Sequence, residues 1–412
     1  MTTDTRPLIL VVATGMRHYR EYLLRSIATE YRVHLLVAAE PGWEREYVTG
    51  WTVVADLGDG PALAATALEL AAREPVHGVL CWDEATILAA SHVSQALGLP
   101  GGDTEMVRRC RDKHLTRVAL DALGVPQPRS LAVSTLDEAL SAAETVGYPA
   151  ILKPRGLGGS LGVIKVEDPE ELAERFAFVH DLHVPGGATF EVPVLVEEFA
   201  DGPEVSVDAV VQGGVVTPIF LGRKVLGYEP YCEEVGHFVD AQDELLQDPE
   251  FCRVLQDTHT ALGFTDGVTH TEVKLSSRGL RVIEVNARLG GDMIPYLGLL
   301  TTGIDPGLAA AAVACGRTPD LAPERKLVGG VRFFYVAEDD TTIESIAFDE
   351  TGLPPEIDRV VPVVAAGATV SPPPKGTLWG RIAYATALSP TVDECRAALD
   401  AAEAQLKVKA AT

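Results

Sequence analysis

Glu272, Glu284, Asn286 and Arg288 are spaced so that two short strands and one turn bring them together. Residues 271–275 and 280–286 alternate and are rich in β-branched side chains, and Ser276-Ser277-Arg278-Gly279 between them has turn composition. A turn centred near Arg278 sets Glu272 opposite Glu284. Side chains alternate along a strand, so Glu284, Asn286 and Arg288 share one face while Ile283 and Val285 point to the other. Two opposed carboxylates repel unless a cation lies between them. Mg²⁺ takes hard oxygen ligands, commonly carboxylates with substrate phosphates, and the Asn286 amide offers a third oxygen. The set suits a metal-bound nucleotide and the charge that develops on a transferring phosphate. On the hairpin alone, a solvated outer sheet face with Arg288 neutralising Glu284 is the competing reading.

A second group lies upstream. Lys153-Pro154-Arg155-Gly156-Leu157-Gly158-Gly159-Ser160-Leu161-Gly162 falls between two expected strands. Glycines let the backbone approach a ligand, and successive N–H groups can cradle phosphate oxygens. Ser160 adds a hydroxyl donor, and Lys153 leaves its strand where an ammonium can meet a phosphate. The loop is not a Walker loop, because no Gly-Lys-Ser/Thr follows, nor a dinucleotide fingerprint, because a strand rather than a helix comes next. A flexible hairpin loop is the alternative. Further on, Glu197-Glu198-Phe199 ends a strand before a turn, where main-chain groups can meet an adenine edge and Glu204 can accept from ribose hydroxyls. An acidic surface turn is the alternative there.

These groups need a frame. Residues 8–13, 32–38, 51–57 and 76–82 read as strands, with helices at 18–30, 61–73 and 84–97, an open α/β pattern that ends near Pro100-Gly101-Gly102. One helix is expected over 104–123 and another over 244–262. Strands are expected at 129–133, 148–153, 162–166, 194–199, 205–211, 215–221, 330–336 and 381–386. Helices are expected at 136–146, from 168, at 305–315 and at 392–405. The chain has 412 residues, enough for two or three domains. Net charge is −25, which argues against a nucleic-acid partner. No apolar run reaches transmembrane length, so no membrane contact is expected. The first residues lack a signal-peptide charge pattern. Cys81, Cys110, Cys232, Cys252, Cys315 and Cys395 show no metal-ligand spacing and read as reduced thiols of a cytoplasmic protein.

The order of the pieces resembles a known superfamily. Arg111-Asp112-Lys113 precedes Gly147-Tyr148-Pro149-Ala150-Ile151-Leu152-Lys153-Pro154, the glycine loop, Glu197-Glu198-Phe199, Glu204-Val205-Ser206-Val207-Asp208, Glu272 and Glu284-Val285-Asn286-Ala287-Arg288. This resembles the ATP-grasp carboxylate–amine ligases over about residues 104–316. With Glu233-Glu234-Val235-Gly236-His237 and Arg288-Leu289-Gly290-Gly291-Asp292, it is most similar to the bacterial L-amino-acid ligases. The resemblance implies a pre-ATP-grasp α/β domain (1–103), an ATP-grasp α+β domain in two parts (104–191 with the lid loop, 192–316 with the metal site) and a C-terminal α/β closing segment (317–412). It implies that ATP is held by Lys113, Lys153, Gly158, Gly159, Ser160, Glu197, Glu198, Phe199 and Glu204. It further implies that Glu272, Glu284 and Asn286 hold two Mg²⁺ ions, with Mn²⁺ as an alternative. Glu234, His237, Arg288 and Gly291 would line the substrate pocket, the first three also serving the chemistry. The implied reaction joins a small carboxylate to an amine, in an enzyme whose default assembly is a homodimer. Purine-pathway carboxylases and formyl-phosphate ligases share the early motifs and stand as alternatives, with a non-catalytic nucleotide-binding protein behind them.

Overall fold

Four apolar runs build the first sheet. Strands β1 (Leu8–Val12), β2 (Arg32–Val37), β3 (Gly50–Val53) and β4 (Val76–Leu80) pair in parallel in the order β3-β2-β1-β4. Every residue of β1 is buried, as expected for a strand covered on both faces. Helices α1 (Arg17–Glu30), α2 (Gly60–Ala71) and α3 (Ile87–Leu97) complete this domain. The computed structural model describes residues 4–182 and 190–411.

The single helix expected over 104–123 is two helices, α4 (Thr104–Arg111) and α5 (Lys113–Ala122). Asp112 between them is extended, with φ −103° and ψ 102°, and its carboxylate accepts the N–H of His114 at 3.0 Å. An aspartate that can cap a new helix competes with continuing the old one. The same carboxylate takes both prongs of Arg155 at 2.7 and 2.6 Å. The break therefore fixes Lys113 at the start of α5 and ties it to the glycine loop.

Strands β5 (Ser130–Val133), β6 (Ala150–Pro154), β7 (Ile164–Val166) and β8 (Val194–Glu198) form an antiparallel sheet in the order β5-β8-β6-β7. Helices α6 (Leu136–Val146) and α7 (Pro169–His180) share one core with it. The glycine loop joins β6 to β7.

The largest sheet takes up β9 (Glu204–Gln212), β10 (Val215–Gly227), β11 (Glu233–Asp240), β12 (Gly267–Ser276), β13 (Gly279–Asn286) and β14 (Val328–Tyr335). Later in the chain come β15 (Thr341–Phe348), β16 (Ile357–Pro362), β17 (Thr369–Val370), β18 (Arg381–Ser389) and β19 (Leu406–Ala410), of which β16 and β18 join the same sheet. The order β13-β12-β9-β10-β11-β14-β18-β16 is antiparallel, and β17-β15-β19 make a small separate sheet. Pairing of β11 with β14 stitches the C-terminal segment into the sheet that carries the acidic hairpin. Helices α8 (Pro249–Leu262), α9 (Ile294–Thr302), α10 (Pro306–Ala314) and α11 (Val392–Gln405) pack around it. The helix expected over 244–262 starts only at Pro249, because Asp248 caps there and proline suits the first turn. No single helix among the described residues is long and apolar enough to cross a membrane.

Asp112→Ala removes a helix cap and strands the Arg155 guanidinium. It should cost about 2–4 kcal/mol in urea unfolding. A change below about 0.5 kcal/mol would show that the break in the helix does not depend on Asp112.

Candidate active site

The hairpin forms with Glu272 directly opposite Glu284 and His270 opposite Asn286. A bulge interrupts it, since Val273 pairs with Val282 and leaves Ile283 as the extra residue. Ile283 consequently faces the same cleft as Glu284, where strict alternation turns it away. The backbone freed by the bulge is held by Arg117, which donates to the carbonyls of Val282 at 3.1 Å and Ile283 at 2.8 Å. Arg117 is buried and also grips Glu197 at 2.8 and 3.1 Å. Lys153 adds a contact to Glu197 at 2.6 Å. The Glu197 side chain is thus a brace that positions Arg117 and Lys153, and its main chain is paired with β5 and β6, so any main-chain bond to an adenine edge falls to the residues after β8. Glu198 likewise accepts the N–H of Arg129 at 3.1 Å and pairs with Arg278.

Lys224 is the centre of the acidic cluster. Its Nζ lies 2.7 Å from Glu204, 2.9 Å from Glu234 and 2.9 Å from Glu272, on a side chain only 2% exposed. Lys113 reaches Glu284 at 3.1 Å, and Lys274 reaches Glu204 at 3.3 Å. Burial opposes the charge on Lys224, but the three carboxylates prevail and hold its pKa well above the usual lysine value. Burial and the neighbouring Glu284, Glu234 and Glu204 push Glu272 up to about 7 in spite of Lys224. Burial also opposes ionisation of Glu284, yet Lys113 and Lys153 keep it below the usual range. The cluster is short of positive charge, and Asn286 Oδ1 is buried there without a hydrogen-bond partner among the described residues. Hard oxygen donors, surplus negative charge and an orphaned carbonyl fit a hard divalent cation.

The glycine loop borders the same cleft through Gly159 and Ser160. Gly159, Ser160 and Gly162 have φ of 65°, 55° and 74°, left-handed positions that gather backbone N–H groups into a concavity. Phe199 and Glu204 border it from the other side. Lys113 Nζ donates to the Leu157 carbonyl, which ties the lysine to the loop.

A second cavity of about 390 Å³ adjoins the first, with Gly158, Gly159, Arg288 and Gly291 on its wall. Arg288 pairs with Glu84, which also holds Arg111 at 2.6 Å. Burial works against the charge on Glu84, but Arg288 and Arg111 bring its pKa down to about 2. Asp292 takes a two-pronged bond from Arg381 at 2.6 and 2.8 Å. His237 is fully buried, with Nε2 3.3 Å from Glu234 and 3.4 Å from Asp292. It lies beneath these carboxylates and reaches the cavities only through them. Gly290 is clamped between its neighbours. Its N–H donates to Asp208 at 2.6 Å, its carbonyl accepts from Arg20 at 3.0 Å, and a Cβ there would meet His270 Nδ1 at 2.7 Å.

Sequence reasoning gave no individual role to Glu84, Arg117, Lys224, Asp292 or Arg381. Glu84 had a signal, since it follows the carboxyl end of a parallel strand, where ligands of open α/β sheets gather. The other four become visible only when the strands are aligned.

A family model described as the ATP-grasp domain matches residues 146–296. Phosphoribosylamine–glycine ligase of Streptomyces coelicolor is 32% identical over 334 residues, 77% of this chain and 75% of that protein. The chain belongs to the ATP-grasp family. Alanine–anticapsin ligase of Bacillus subtilis is 29% identical over 260 residues. That match spans 58% of this chain and about half (54%) of the relative. The structure of an L-amino acid ligase from Bacillus licheniformis superposes with a TM-score of 0.81 at 22% identity, covering all of both chains. The ATP-grasp match contains the glycine loop, the braces at Glu197 and both strands of the acidic hairpin.

Burial and its acidic neighbours push the Glu272 carboxyl up to about 7 in the folded protein, from an ordinary 4.5. Between those values the folded chain keeps a proton that the unfolded chain has released, so this group's contribution to stability is lost as pH rises. Without metal, Glu272→Gln should therefore melt above wild type by a margin that widens from pH 4.5 to 7, measured by scanning calorimetry. A margin that narrows over that range would contradict the charge balance described.

Proposed function

We propose that the chain is an ATP-dependent ligase joining a small carboxylic acid to an amine, with amino acids as its substrate class. The observation that carries this is the opposed pair Glu272 and Glu284, short of positive charge and facing a left-handed glycine loop. In this reading Lys113, Lys153, Ser160 and the loop N–H groups bind the ATP phosphates. Phe199, Ile283 and the main chain that follows β8 bind the base, and Glu204 takes the ribose. Glu272, Glu284 and Asn286 would hold Mg²⁺, two ions by the family resemblance, which when bound offsets the negative charge of the phosphates.

The acyl donor's carboxylate oxygen attacks the γ-phosphorus, the bond to the β-phosphate oxygen breaks, and ADP leaves. Lys113 and Lys153 offset charge on the transferring group. The amine then attacks the carbonyl carbon of the acyl phosphate, and the carbon–oxygen bond to phosphate breaks. Arg288 stabilises the oxyanion and the departing phosphate. One proton must leave the nitrogen. In this reading Glu234 accepts it, and His237, 3.3 Å away, orients Glu234. The glycine loop closes over the acyl phosphate and keeps water out.

The relatives' names support an amide-forming reaction, since both the alanine–anticapsin and phosphoribosylamine–glycine enzymes are ligases of a carboxylate and an amine. Small-molecule substrates, no nucleic-acid or membrane partner, a cytoplasmic setting and a homodimer complete the proposal. The test is ADP release against pairs of amino acids, with mass detection of the joined product. Amino-acid-dependent release with a product of the two masses less water is expected. Release that depends on bicarbonate would favour a carboxylase.

Two variants separate the roles. Glu284→Gln should lower ADP release at least about a thousandfold with an unchanged circular dichroism spectrum. Near-normal turnover would remove the hairpin from the chemistry. Arg288→Ala should reduce product formation at least about a hundredfold while the KM for ATP moves less than about threefold. An unchanged rate would take Arg288 out of the mechanism.

A further inference from the structure

If the chain is the ligase proposed above, something in the second cavity must select the amine substrate. Four guanidinium groups border the 390 Å³ cavity: Arg20, Arg111, Arg288 and Arg381. Three have carboxylate partners. Arg111 and Arg288 share Glu84, and Arg381 holds Asp292. Arg20 has no carboxylate within ion-pairing distance among the described residues, and its bond to the neutral Gly290 carbonyl, 3.0 Å long, leaves the rest of its fork open. The bordering carboxylates are Asp83, Glu84 and Asp292, one fewer than the guanidinium groups. Burial opposes the charge on Arg20, Arg288 and Arg381. For Arg288 and Arg381 the facing carboxylates outweigh it, whereas for Arg20 burial prevails and its pKa is drawn down.

The surroundings reinforce the point. Arg20 sits in the first turns of α1, a 14-residue helix whose N-cap, Met16, offers no side-chain acceptor to the open N–H groups. The positive end of that helix meets the cavity at Gly15, Met16 and Tyr19. A planar fork with spare donors beside open helix N–H groups matches a carboxylate. Phosphorylated amines are a poorer match, because three of the four guanidinium groups are already neutralised.

The acyl donor's reacting carboxylate must lie against the nucleotide, on the Arg288 side. Arg20 lies across the Gly290 peptide from that centre, in the N-terminal domain. We propose that Arg20 binds the carboxylate of the amine substrate, so that the N-terminal domain selects amino acids over simple amines as acceptors. An acceptor held this way turns its amine toward the acyl phosphate and its carboxylate toward α1.

The test uses the full-length protein and the amino-acid pair found by the ADP-release screen. The acceptor is supplied as the free acid and as its primary amide. Arg20→Gln keeps a donor for the Gly290 carbonyl but removes the charge, and Arg20→Lys keeps the charge without the fork. Wild type should prefer the acid. Arg20→Gln should raise the KM for the acid at least about tenfold, leave the KM for ATP unchanged and remove the preference for acid over amide. Arg20→Lys should recover part of that preference. An Arg20→Gln enzyme that still prefers the acid by the wild-type factor overturns the assignment. So does a loss that follows a side-chain carboxylate of the acyl donor instead of the acceptor. If Arg20→Gln does not fold, an Arg20→Lys enzyme with wild-type KM and preference overturns it. A wild type that releases no ADP with any pair overturns the ligase reading itself, a result distinct from the others.

Discussion

A single ammonium group, that of Lys224, holds three glutamates from three different strands on one face of the central sheet. The rest of the site follows from that constraint. Carboxylates brought this close out of water repel strongly, and neither partial burial nor β-pairing compensates. Lys224 and Lys274 answer Glu204, Lys113 answers Glu284, and Glu272 is left with a shared partner. Buried ion pairs of this kind add little net stability compared with apolar packing. Their retention makes sense if a further cation and a polyphosphate complete the balance.

The lysines come from different parts of the chain, so the charge balance also governs assembly. Lys113 starts α5, Lys153 ends β6 and Lys224 lies in β10. Arg117 joins the small sheet to the hairpin by holding Glu197 with one side of its fork and the bulge carbonyls with the other. Glu84 does the same between domains, holding Arg111 and Arg288 at once. The Arg288–Met293 stretch is bent sharply, with Asp292 and Met293 at φ 50° and 66°. Asp208, Arg20 and Arg381 pin that bend from three sides. Strained backbone of this sort persists only where its surroundings fix it.

Much of this was legible in the sequence where it was local. The opposition of Glu272 and Glu284 followed from strand alternation and a turn, and the structure places them in register. The N-terminal open α/β domain followed from apolar runs alternating with helices. The bulge at Ile283 was not legible, because nothing in a single strand says where its partner will slip. Strand β11 was missed because its inward positions are polar, with Glu233 and His237 both buried. Helix α9 was missed because it is apolar on nearly every side and shows no helical period. Lys224 and Arg381 carry no motif; they matter because sheet order β9-β10-β11-β14-β18 sets them beside residues remote in sequence.

The central claim is that this charge cluster activates a carboxylate as its acyl phosphate. The most direct measurement is oxygen transfer: amino acids labelled with oxygen-18 in the carboxylate are incubated with ATP and Mg²⁺, and the released phosphate is weighed by mass spectrometry. Amine attack on an acyl phosphate cleaves the carbon–oxygen bond, so one labelled oxygen should appear in each phosphate released. Unlabelled phosphate, formed while amide product accumulates, would contradict the account.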